Sequence, residues 1–163
     1  MTKKLTPWKS PSTGETIQTY PISQVALTLQ IKRKMPEPKA PPVEVTIAGQ
    51  TMVERNYADP DYGRSVDDWR GMVNLEVLDQ ILRRLAAKQA LTKEQEKEVK
   101  ELRAELNGAF DGVSDKYVWL TEIAIGNDEE MQTLIKFVSG QADPTGEGVD
   151  EAAKNFRGKT EGA

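Results

Sequence analysis

The chain contains no cysteine and no histidine. Without Cys there is no disulfide, no thiol nucleophile and no thiolate ligand for zinc or an iron–sulfur cluster. Without His, the commonest general base and the commonest transition-metal ligand are missing as well. Carboxylate chemistry stays open, but most hydrolase, metalloenzyme and redox designs do not. The chain is therefore expected to be no enzyme and to carry no cofactor and no metal. Aromatic residues make up 6% and all hydrophobic residues 37% of the 163 positions, with a mean hydropathy of −0.59. That is lean for a compact domain of this length. It points to a modest core with polar extensions, or to surface that is buried on a partner. No apolar run approaches the ~18 residues of a membrane span. The first residues, MTKKLTPWKSPSTG, lack the apolar segment of a secretory signal. A soluble, cytoplasmic protein is expected.

What is present is charge, unevenly spread. The 22 basic and 26 acidic residues leave a net −4, yet residues 1–42 alone carry +5 and the remainder −9. A basic arm on an acidic body can meet nucleic acid, an acidic partner or its own body, and the last is favoured. Lys32, Arg33, Lys34 and Lys39 lack neighbouring stacking aromatics, so charges at a helix end explain them better than nucleic-acid binding.

The rest of the chain is organised around Asp59–Lys88. Asp59 and Pro60 are a helix start, Asp as cap and Pro at the first helical position. Tyr62, Val66, Trp69, Val73, Val77, Ile81 and Leu85 recur at spacings of three and four. Met72, Leu75, Leu78 and Leu82 widen that stripe and predict burial on more than one side in the second half. The early Asp61, Asp67 and Asp68 suit the helix dipole, as do Arg83, Arg84 and Lys88 at the far end. Read as a calcium loop from Asp59, the same acids fail: Gly63 comes one place early and Arg70 stands where the closing acid belongs.

Residues 1–16 read as a flexible basic arm, in which Trp8 is an anchor for a partner or docks on the chain's own core. Glu15–Tyr20 alternates as a short strand does. Pro21–Met35 fits both periods; helix is preferred because basic residues and Pro36 end it. PEPKAPP (36–42) is an extended linker. Val43–Glu54 alternates on either side of Ala48-Gly49-Gln50 and predicts a β-hairpin whose Val43, Val45 and Ile47 face must pack on a helix or another strand. Thr92 and Gln95 form a capping box before a charged helix with a thin stripe of Val99, Leu102 and Leu106. Ser114 caps an apolar helix, DKYVWLTEIAIG. Asn127 and Glu130 form a second capping box before a helix ended by Gly140. From residue 141 onward the composition predicts a flexible tail, with a short helix over Val149–Phe156 as the alternative.

Three segments together resemble proteins encoded in the tail-gene clusters of long-tailed bacteriophages. They are YPIS with its apolar-basic continuation, the Pro-rich linker running into PPVEVTIAGQTMVERN, and NYADPDYGRSVDDW opening the long helix. The later YVWLTEIAIGNDEEMQTLIKFV is similar to the family's ending. The resemblance covers about residues 17–138, with the charged helix Thr92–Asn107 and the basic arm as departures. It implies a tail assembly chaperone that binds the tape-measure protein while the tail tube polymerises, in the host cytoplasm. The alternative is a minor structural component of the virion, in the tail or head–tail connector region.

The resulting expectation is a mainly α-helical domain over 17–140, with the linker and hairpin at 36–54 and flexible arms at 1–16 and 141–163. Expected partners are other phage tail proteins, tape-measure or tube, with self-association left open, nucleic acid disfavoured and no membrane. Trp8, Tyr62, Trp69, Trp119 and Phe137 are the candidate partner-binding residues, the last four being equally suited to a core.

Overall fold

The structure is a computed structural model that describes residues 4–142. It is 55% helical. The elements run β1 (Thr6–Lys9), β2 (Thr16–Thr19), α1 (Gln24–Lys34), β3 (Pro42–Ile47), β4 (Gln50–Arg55), α2 (Pro60–Ala87), α3 (Lys93–Glu105), α4 (Asp115–Val118), a π-helical stretch Trp119–Ala124, and α5 (Asp128–Ala142). The mainly α class and the hairpin are as expected. No helix among the described residues is long and apolar enough to cross a membrane. The tail predicted from residue 141, and the short helix within it, lie outside the described residues apart from 141 and 142, which belong to α5.

The described chain divides into two compact units: residues 26–78, and residues up to 25 together with those from 79 onward. The division falls inside α1 and α2, so each unit takes part of both helices.

In the unit of residues 26–78, Pro36 ends α1 and the chain continues extended into β3. β3 and β4 pair antiparallel, Val45 opposite Met52, through a turn in which Ala48 (φ 53°) and Gly49 (φ 80°) both lie in the left-handed region. Two such residues define the tight turn whose twist matches a hairpin. Asp59 caps α2 as the sequence predicts, its Oδ2 accepting from the Tyr62 N–H at 2.9 Å. Trp69, Val73 and Val77 form the buried stripe. Met72 and Leu75 depart from expectation: they are 53% and 67% exposed. A period of 3.6 places them off the Trp69–Val73–Val77 face, and nothing in this unit covers the side they occupy.

The other unit holds the larger core: Ile17, Ile81, Leu85, Val99, Val118, Trp119, Leu120, Leu134 and Val138 are almost wholly buried. Thr92 and Gln95 make the reciprocal capping box of α3. Of the expected arm, residues 1–3 lie outside the described residues, and the rest belongs to a second hairpin instead. β1 pairs antiparallel with β2, Trp8 opposite Ile17, and Gly14 (φ 73°) closes the connecting loop. Its polar composition hid two facts: Ile17 is fully buried, and the loop's hydrogen-bonding groups have long-range partners. Gln89 guards the edge of β2. Its Oε1 accepts from the Gln18 N–H at 3.0 Å and its Nε2 donates to the Gln18 carbonyl at 2.7 Å, as a neighbouring strand would. Gly140 does not end α5, which continues to Ala142.

Candidate interaction surface

Apolar side chains are distributed very differently in the two units. In the unit built from 4–25 and 79–142, fifteen hydrophobic residues are buried and four large ones are exposed. In residues 26–78 only six are buried, and eight large ones are exposed: Leu29, Val43, Ile47, Met52, Val53, Tyr57, Met72 and Leu75. Scattered exposed apolar residues are ordinary; so many in one small unit single out its surface as the candidate site.

The hairpin is the centre of that surface. Val43, Val45 and Ile47 of β3 share a face with Met52 of β4, because directly opposed residues point the same way. Only Val45 is even half-buried. The sequence predicts that this face packs on a helix or another strand; among the described residues it stays largely exposed instead. Two strands without further support are marginal in water.

Beside the hairpin the linker is pinned. Arg55 donates from Nη1 to the Ala40 carbonyl at 2.8 Å, and Asn56 N–H donates to the Pro41 carbonyl at 2.8 Å. Tyr57 and Tyr62 stand edge to face, ring centres 5.9 Å apart. With Glu37, Pro38 and Lys39 they line an open groove of mixed charge and aromatic walls.

The five candidate contact residues therefore separate. Tyr62 is half-buried at this groove. Trp69 is 9% exposed; its indole donates to the Met35 carbonyl at 2.9 Å and Lys32 Nζ lies 5.6 Å from its ring centre, which makes it the anchor of α1 to α2 within the unit. Trp119 is 2% exposed and belongs to the core of the other unit, where its indole N–H has no partner. Trp8 is half-buried against Ile17, and Phe137 is 36% exposed on α5. The exposed hairpin face lies outside those five residues; its signal in the sequence is a strand pair with one apolar face.

Three groups with perturbed acidity lie in the larger unit: Tyr20, raised by burial against the opposing charge of Arg84, and Glu130 and Tyr117, both held by hydrogen bonds. The Glu130 carboxylate is held down to about 2 by hydrogen bonds from Ser12 foremost, then Ser10 and Gly126, against the opposing effect of burial. It accepts from Ser10 Oγ at 2.8 Å, Ser12 N–H at 2.7 Å and Gly126 N–H at 2.9 Å. The expected capping box is thus half present: Asn127 Oδ1 caps the Glu130 N–H at 2.9 Å, but the carboxylate turns to the N-terminal loop. Tyr117 is pushed up to about 12 by burial and by donating to Asp79 at 2.7 Å, with Arg83 over its ring. At neutral pH the Glu130 carboxylate is a fixed acceptor and the Tyr117 phenol a fixed donor, and neither is poised to exchange a proton. Among the described residues no three carboxylates gather as a metal site would require. Comparison with protein families, with curated proteins and with solved structures returned no match.

Proposed function

We propose that this chain is a non-enzymatic phage tail assembly chaperone, which acts in the host cytoplasm by binding other tail proteins, the tape-measure protein first among them. The sequence resemblance supplies the setting. One structural observation carries the mode of action: the β3–β4 hairpin exposes a Val43–Val45–Ile47–Met52 face that has no cover within its unit. A protein that holds a long, aggregation-prone partner until it is built into the tube needs such a face, which is tolerable alone and favourable when covered. The Tyr57–Tyr62 groove extends it with aromatic contact area.

The test is capture from phage-infected cells with the full chain as bait, beside an Ile47→Thr/Met52→Thr variant. Recovery of a very long, helix-rich phage protein by the parent and its loss from the variant is the expected result. Recovery of host proteins alone would overturn the reading. Quantitative mass spectrometry of purified particles completes the test, since a chaperone is absent from them and a virion component is stoichiometric.

A further inference from the structure

We propose that β3 is a self-recognition edge, through which two copies of this chain pair antiparallel about a two-fold axis at Val45. The argument starts from where the backbone groups of β3 point. The two-residue turn makes Ile47 and Gln50 a hydrogen-bonded pair. At the other end of the ladder Asn56 N–H donates to the Pro41 carbonyl, which has the same parity. Alternation then makes Val45/Met52 and Val43/Glu54 hydrogen-bonded pairs too. The N–H and C=O groups of Glu44 and Thr46 are left pointing away from β4. Among the described residues the sheet contains these two strands and no third, which leaves this outer edge unpaired.

A second β3 fits that edge in one register. Centred on Val45, Glu44 faces Thr46 of the other copy, and each N–H meets a carbonyl. Val43 then faces Ile47, and Val45 faces itself at a close, non-hydrogen-bonded position. Every apolar residue of the strand meets an apolar residue, and no like charges are opposed. Pro42, which has no N–H to offer, falls opposite the turn and outside the ladder. The neighbouring registers are worse. Centring on Glu44 sets two carboxylates face to face, and centring on Thr46 leaves Val43 without a partner. The edge of β4 offers no equivalent, since centring there on Val53 opposes Met52 to Glu54, and centring on Met52 opposes Gln50 to Glu54. Pairing through β3 turns two marginal hairpins into a four-stranded sheet, above the three strands that independent stability asks for. It also joins Val43, Val45, Ile47 and Met52 of each copy into one continuous apolar face.

The test uses the full chain in sedimentation velocity and native mass spectrometry. The parent is expected to dimerise reversibly with concentration. Thr46→Pro removes an outward N–H, which the hairpin does not use, and is expected to weaken dimerisation roughly tenfold or more with the helical circular dichroism unchanged. Because the chain has no cysteine, Val45→Cys adds a single thiol at the proposed axis. Under mild oxidation it is expected to cross-link as a dimer far faster than Val53→Cys, which lies on the other face of β4. A parent that stays monomeric at all concentrations overturns the proposal. So does a dimer indifferent to Thr46→Pro, or a Val53→Cys chain that cross-links as readily as Val45→Cys.

Discussion

Gly126 is where the structure can be tested most sharply. It sits between the π-helical stretch and α5, and its N–H donates to Glu130 Oε2. A methyl group placed on it would lie 1.9 Å from Ser12 Oγ, 3.1 Å from Ser12 Cβ and 3.1 Å from Glu130 Oε2. The first distance is an overlap, and rotating the hydroxyl away leaves the Cβ contact still tight. Gly126→Ala must therefore push the N-terminal loop off the carboxylate that holds it. Forced overpacking of this kind destabilises by about 1–3 kcal/mol. Read by urea unfolding, with buried Trp119 as the fluorescent reporter, this lowers the midpoint by about 1 M for an m-value of about 2 kcal/mol/M. The double variant Ser12→Gly/Gly126→Ala removes both clashing Ser12 atoms while keeping the Ser12 N–H donor. It is expected to recover most of the loss, with a favourable coupling of about 1 kcal/mol or more. A Gly126→Ala chain within about 0.5 kcal/mol of the parent, or an equal loss in both backgrounds, would refute the placement of this loop over Glu130.

Further expectations follow from the same residues. The Glu130 carboxyl is depressed from an ordinary 4.5 to about 2, so the unfolded chain takes up the proton first as pH falls. Its stabilisation is complete above about pH 4.5 and is lost towards pH 2; Glu130→Gln should flatten the acid limb of a stability–pH curve in that window and leave neutral pH without such a slope. Trp69→Phe keeps a ring but strands the Met35 carbonyl, and should destabilise by about 1–3 kcal/mol in chemical denaturation while α2 remains helical. Ile47→Thr and Met52→Thr, on exposed strand positions, should change unfolding midpoints by no more than about 0.5 kcal/mol each. A selective loss of partner capture without loss of stability is the signature sought there.

The parts legible in the sequence are those written in local chemistry. Asp59-Pro60, Thr92 with Gln95, and Ser114 are caps whose partners lie three residues away, so spacing alone finds them. The hairpin turn at Ala48-Gly49 is equally local. What was missed depends on contacts across the chain. Ser10 meets Glu130 over a separation of 120 residues, and no pattern in SPSTG announces that its hydroxyl and amide will hold a carboxylate. The same contact redirected Glu130 from the box that its spacing from Asn127 suggested. Gln89 pairing with Gln18, 71 positions apart, is hidden for the same reason. Met72 and Leu75 failed differently. Periodicity says which residues share a face but not whether anything is laid against it.

That last distinction bears on how a lean composition should be understood. A hydrophobic share of 37% spread evenly would give a weak core everywhere. Here it is not spread evenly. The larger unit closes its core and uses Glu130, Gln89 and Thr13 to tie the N-terminal hairpin down, with Thr13 Oγ1 donating to the Ala124 carbonyl at the end of the π-helical stretch. The Glu130 carboxylate, the Gln18 carbonyl and the Ala124 carbonyl each receive a donor from a distant part of the chain. The unit of residues 26–78 keeps a narrow stripe around Trp69, Val73 and Val77 and presents the rest of its apolar side chains outward. A surplus of that kind is destabilising in solubility terms and brings the isolated fold little. Apolar area stabilises only where it leaves water. In a chain without Cys or His, the Glu130 carboxylate and the Tyr117 phenol, both with shifted acidity, are fixed in place as structural hydrogen-bond partners.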